Sequence, residues 1–132
     1  MNCSAQVRKS GSVAIVELSG KFTTAAGCCG IIRDTVRKLL ESGERSILLD
    51  LAGVTYLDSA AGLGELVGGY TSALRLGGQL KLLHPGGNVD LVLRVTGLDR
   101  VFESYDDEAT ALHSFEAASG GSARNSANGP VG

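Results

Sequence analysis

No excess of one charge marks this 132-residue sequence: twelve Lys and Arg stand against fourteen Asp and Glu, a formal net charge of −2. Basic residues are not gathered into any dense stretch, whereas a nucleic-acid binder normally needs a basic face to displace counterions from phosphates. Apolar runs such as Ile47–Leu49 fall far short of the ~18 residues a membrane span takes. Met1–Gly11 is mostly polar, without the basic-then-apolar opening of a signal peptide. The expectation is a cytoplasmic chain whose partners are neither nucleic acid nor membrane. Metal-ligand spacings are missing too: there is no C-x-x-C and no H-E-x-x-H, and the two histidines are far apart. No metal or cofactor is expected. Three cysteines are an odd number, and Cys28 and Cys29 are neighbours poorly placed to bridge each other, so a disulfide framework is not expected. Both read as small residues on a helix, one or both packed inward.

What is present suits one globular domain. Hydrophobic residues make up 43% and charged residues 20%, enough for a single packed core at this length. Glycine is abundant, at nineteen residues, and mostly punctuates elements. The last fourteen residues, 119–132, are rich in Gly, Ser and Asn and have one large apolar residue. They cannot repay their ordering entropy and read as a disordered tail behind a domain of residues 1–118.

Ala5–Lys9 and Val13–Leu18 read as two short strands joined by a glycine-containing turn, a hairpin at a sheet edge. Lys21–Thr24 reads as a polar turn whose threonines can cap a helix. From about Ala25 to Ser42, Ile32, Val36, Leu39 and Leu40 form one apolar stripe, ended by Gly43. Ser46–Leu51 is apolar on both faces, as in a central strand covered by helices. A turn at Ala52-Gly53 is expected next, then Val54–Ser59. A second helix spans about Ala61–Leu76, with Leu63, Leu66, Val67, Tyr70 and Leu74 on one stripe. Gln79–Leu83 is a strand, His84–Gly87 a turn, and Val89–Thr96 a short helix. Val101-Phe102 suggests a last edge strand. Asp106–Ala118 reads as a helix, acidic at its start, burying Ala111, Leu112 and Phe115. Helices that separate strands require right-handed parallel crossovers. The fold class is α/β: a small mixed sheet of four to five strands, mostly parallel beyond an N-terminal hairpin, packed with about four helices.

The informative stretch is Leu49–Val67, where a central strand leads through Asp58-Ser59 into a glycine-containing helix start. Taken alone, Asp-Ser before a helix is an ordinary N-cap. The segment nevertheless resembles the anti-sigma-factor antagonist group of STAS domains, whose pattern is D-L-x-x-V-x-[YF]-[ILM]-D-S-[SAT]-G-[LI]-G. Asp50, Leu51, Val54, Tyr56, Leu57, Asp58, Ser59, Gly62, Leu63 and Gly64 fit it, and the likeness extends over roughly Val7–Phe115. The resemblance implies a transcription regulator that works by partner switching. It would bind an anti-sigma factor that is also a serine kinase and so release a sigma factor, and it would be switched off by phosphorylation at Ser59. A serine phosphatase would reset it. The implied state is a monomer or weak dimer, and the implied binding surface comprises Asp58, Ser59, Ala60, Gly62, Gly64 and Gly68, with Thr23 and Thr24 beside them.

Two departures stand out. One extra alanine separates Ser59 from Gly62, and the loop is expected to absorb it because the stripe from Leu63 onward is intact. Thr23 or Thr24 also occupies the region where many members carry a pocket-forming Asp. A scaffold that binds without ever being phosphorylated is therefore the alternative. Gly64 and Gly68 read either as close helix–sheet packing or as a flat face for a partner helix. Enzyme readings are weak. Ser59 lacks the flanking glycines of a nucleophile elbow, His84 is more simply part of a turn, and Gly62-Leu63-Gly64 breaks off at Val67 before completing a dinucleotide fingerprint.

Overall fold

The computed structural model describes residues 3–23, 30–58 and 62–120. Its sheet is built on β1 (Cys3–Ser10), β2 (Val13–Phe22), β3 (Ser46–Leu57), β4 (Gln79–Leu83) and β5 (Ser104–Tyr105), side by side in chain order. β1 and β2 are the antiparallel hairpin, and every later pairing is parallel. The parallel joints take helical crossovers: α1 (Ile31–Glu41), α2 (Gly62–Arg75) and α3 (Gly87–Thr96), the last followed by a 3-10 turn at Leu98–Arg100. α4 (Glu108–Gly120) closes the described chain and runs two residues into the stretch assigned to the tail.

Strand alternation divides the core in two. Val16, Leu18, Ile47, Leu49, Leu51, Leu80 and Leu82 face the α1–α3 layer. Val13, Ile15, Leu48 and Leu83 face α4, which covers them with Ala111 and Phe115. Both sides of β3 are thereby buried, as its continuous apolar run requires.

Several sequence expectations are corrected here. Ala52-Gly53 is not a turn, because β3 runs through it to Leu57. Gly53 lies where β3 carries an extra residue against β2, between the pairs Glu17↔Asp50 and Ser19↔Gly53, and an added Cβ there would come within 2.9 Å of both Leu18 O and Ser19 Cβ. The strand needs the small residue without ending there. β2 likewise continues past Ser19-Gly20 to Phe22. The edge strand falls at Ser104–Tyr105 rather than Val101-Phe102. Phe102 instead turns into the core and packs edge-on against Tyr70, ring centroids 5.1 Å apart. On α2, Gly69 and Ala73 are buried while Val67 and Leu74 are exposed, because the helix lies close on α1 and β4 through its small residues. Leu112 is only half-buried. Finally, Cys3 is disulfide-bonded, contrary to the expectation from cysteine count, and its partner lies outside the described residues.

Candidate functional site

β2 and β3 end together at Phe22↔Leu57, so Thr23 and Asp58 leave the sheet at the same rim. Asp58 is half-buried and acts three ways. Its N–H donates to Phe22 O at 3.2 Å, its C=O accepts from Leu63 N–H at 3.0 Å, and its Oδ1 accepts from Gly62 N–H at 2.9 Å. The carboxylate therefore caps the start of α2, satisfying a donor with no intrahelical partner and placing a negative charge at the positive end of the helix. Residues 59–61 join these two fixed points. Ser59, Ala60 and the extra alanine lie outside the described residues, as do Thr24, Cys28 and Cys29.

The glycines of this segment divide by role. Gly62 is buried, and an added Cβ would come within 2.7 Å of Leu57 Cδ1 and 2.8 Å of Phe22 O. It shapes the strand-to-helix corner and offers no surface of its own. Gly64 is exposed, with nothing near the position of a Cβ. Gly68 is covered by α1, since the Arg33 Nε would stand 3.0 Å from its Cβ. The close contact at Gly68 is thus helix on helix rather than helix on sheet, and Gly64 alone of the pair is open.

Three residues at this rim escape sequence reasoning. Glu65 is 4% exposed, and its Oε1 accepts from the N–H groups of Ile32 at 2.8 Å and Arg33 at 3.3 Å. A carboxylate from α2 thus caps α1, whose own Ncap residue, Gly30, sits at φ 90° and has no side chain to do so. The Ncap residue of α1 is therefore Gly30 and not a threonine, and Thr24 lies outside the described residues. The available signal is a Glu beside Leu66 in the apolar first half of α2. Asn88, at the start of α3, accepts the Leu57 N–H on its Oδ1 at 2.6 Å and ties α3 to the last residue of β3. Arg33 lies across α2 at Gly68, a placement with no local signal.

Outside the rim, Lys81 is 5% exposed on the α4 side. Its Nζ meets Glu103 Oε1 at 3.1 Å and Ser114 Oγ at 3.0 Å, and lies 4.8 Å from the Phe115 ring centroid. His84 follows β4, donates its backbone N–H to Tyr105 O at 2.8 Å, and its charge helps to hold the Asp107 and Glu108 carboxyls below their ordinary values. The larger causes are the hydrogen bonds of Thr110 to Asp107 and of Arg8 to Glu108. No cluster of three His, Cys, Asp or Glu able to hold a metal ion occurs among the described residues, and no described helix is long and apolar enough to cross a membrane.

Comparison with known proteins gives a consistent result. The STAS domain family pattern matches residues 4–111. An anti-sigma F factor antagonist from Paenibacillus polymyxa is 27% identical over 120 residues, covering 90% of this chain and all of that protein. A Thermotoga neapolitana protein named as an assumed anti-sigma factor antagonist is 35% identical over 79 residues, 60% of this chain and 69% of that one. The crystal structure of an anti-sigma factor antagonist from Mycobacterium paratuberculosis superposes with a TM-score of 0.72 at 22% identity, covering 86% of this chain and 94% of that one. At that identity the likeness is one of fold, and the fold is this five-stranded mixed sheet with its helices.

Proposed function

Since the chain belongs to the STAS domain family, we propose that it is a cytoplasmic anti-sigma factor antagonist, a binding protein rather than an enzyme. Unmodified, it binds an anti-sigma factor with serine kinase activity through the rim around Asp58–Gly64, and a sigma factor is thereby released. Phosphorylation of Ser59 ends the binding, and a serine phosphatase restores it. The names of the Paenibacillus and Thermotoga relatives support the regulatory class.

The observation that carries the switch is the Asp58 cap on Gly62 N–H. Ser59 follows this carboxylate directly in sequence, three residues before the start of α2, where free N–H groups favour an anion. A phosphoserine adds about −1.5 to −2 charges, next in sequence to an acid that already holds the Gly62 N–H. Repulsion from Asp58 opposes tight local neutralisation, so the dianion stays available to the partner surface. Burying it against a face without a matching cation costs several kcal/mol, which is enough to release a complex. Around it Gly62 seats α2 against Leu57 and Phe22, Glu65 joins α2 to the start of α1, and Asn88 joins α3 to the end of β3, so the domain supplies a fixed frame and the charge supplies the change.

The test is partner binding by wild type, Ser59→Ala and Ser59→Asp, together with mass spectrometry of the protein from its own cells. Ser59→Ala is expected to bind as the unmodified protein does, and Ser59→Asp to bind at least about tenfold more weakly, a loss of ~1.4 kcal/mol. Equal affinities for all three remove Ser59 from the mechanism.

A further inference from the structure

β4 is five residues long, but its outer neighbour β5 pairs only with Leu82 and Leu83. Hydrogen-bond direction alternates along the strand. Gln79 N–H points inward to Arg45 O at 2.7 Å, whereas the N–H groups of Leu82 and His84 point outward to Glu103 O and Tyr105 O at 2.9 and 2.8 Å. Leu80 shares the parity of Leu82 and His84, so its N–H and C=O face outward as well. Among the described residues, neither group finds a partner there. Leu80 is nonetheless 2% exposed, and buried backbone polar groups are nearly always paired.

The chain does not extend β5 back to meet them. Val101 has helical angles, φ −87° and ψ −44°, and Phe102 turns inward against Tyr70. What remains is an open hollow of about 180 Å³, walled by Tyr70, Leu74, Gln79, Leu80, Val101 and Glu103. Leu74 and Val101 are 53% and 42% exposed, well above what a buried wall would show.

We propose that this edge is a docking site for an extended peptide segment of a partner protein, which adds to the sheet in line with β5. The chemistry of the site selects that occupant. A donor and an acceptor on one residue, both facing out along an edge, match the backbone of a β-strand. The stretch Gln79–Lys81 that β5 leaves unpaired spans about 10 Å at ~3.3 Å per residue, the length of three residues. A side chain of the incoming strand on the α2 side falls between Tyr70, Leu74 and Val101 and is therefore apolar. The site lies apart from the Asp58–Gly64 rim, so its fate is independent of the switch proposed above.

Amide hydrogen exchange of the ¹⁵N-labelled full chain gives the test. In the free protein the Leu80 amide is expected to exchange faster than those of Gln79 and Leu82, and equal protection of all three would show the edge to be closed. The probe is a blocked five-residue peptide of alternating threonine and leucine. At saturation it is expected to slow Leu80 exchange about tenfold, while the same peptide N-methylated along its backbone leaves Leu80 unchanged. Val101→Arg, at an exposed position, is expected to abolish the effect without loosening Leu82. The proposal is overturned if millimolar peptide leaves Leu80 unperturbed, or if the N-methylated peptide acts equally well. Leu80 protection that rises with protein concentration alone overturns it too, in favour of an interface between copies of this chain.

Discussion

Gly62 and Glu65 sit three residues apart on α2, and each solves a different problem at the same rim. A methyl group on residue 62 would press on Leu57 Cγ and Cδ1 at 2.8 and 2.7 Å, and on Phe22 O at 2.8 Å. The carbonyl belongs to a paired strand and cannot give way as a flexible side chain would. Gly62→Ala is therefore expected to destabilise the fold by about 1–3 kcal/mol, the usual cost of overpacking, read as a lower urea midpoint with an unchanged slope. Glu65 is a matter of satisfaction rather than space. Removing its carboxylate leaves the Ile32 and Arg33 N–H groups without an acceptor at a buried helix end. Glu65→Ala is expected to cost about 1–3 kcal/mol, with Glu65→Gln recovering much of the loss because an amide oxygen can still accept. Equal losses for the two variants would mean that packing, not the cap, is what Glu65 supplies.

At the scale of elements, the helices and central strands could be read from periodicity and the corrections came from tertiary contacts. Ile32, Val36 and Leu40 on α1 bury the face their spacing announces, and β3 and β4 stand where their apolar runs place them. At Ala52-Gly53 the chain makes an irregularity within β3 rather than a turn, and the glycine lets that bulged backbone pass close to Leu18 and Ser19 of β2, which no local pattern reveals. Spacing puts Val67 and Leu74 on the apolar stripe of α2, but Gly69 and Ala73 let α1 and β4 approach so closely that the packed stripe rotates toward the small residues. Of the candidate site, the Asp58 cap and the Gly62 corner lie within one motif, Asp50–Gly64, whereas the Glu65 and Asn88 anchors join residues more than thirty positions apart. Within α2, Gly64 is the exception to this economy, exposed and with no neighbour where a Cβ would stand. A glycine inside a helix costs ~1 kcal/mol relative to alanine, so Gly64→Ala is expected to stabilise the isolated protein by about that amount in thermal or urea unfolding. If partner binding weakens in the same variant, the open position is where the partner comes close; unchanged binding would confine Gly64 to its own helix.

The whole molecule is two layers on one sheet, unequally built. Three helices cover one face and α4 covers the other, so the hold of α4 on the sheet has no redundancy among the described elements. Beyond Ala111 and Phe115, α4 is pinned by a contact between residues 100 positions apart: Arg8 on β1 grips Glu108 at 2.6 and 3.4 Å and Glu17 on β2 at 2.8 Å. The Arg8 hydrogen bond holds the Glu108 carboxyl below its ordinary range, and linkage turns that shift into a pH dependence. A folded-state pKa lower than the unfolded one means that the contribution is complete above the unfolded value, near 4.3 for Glu. It is lost as the pH falls through the folded value. Both side chains keep more than a third of their surface in water (40% and 38%), so screening limits the contribution to about 0.5–1 kcal/mol. Glu108→Gln is therefore expected to unfold more easily than wild type at neutral pH, with the difference shrinking toward zero as the pH drops below about 4. Urea unfolding across that range measures it, and an Arg8→Met, Glu108→Gln double-mutant cycle separates the pair from the loss of a helix-start charge. A difference that persists undiminished in acid would show that Glu108 holds α4 by packing alone, leaving the ion pair without a part in joining the hairpin to the far face of the sheet.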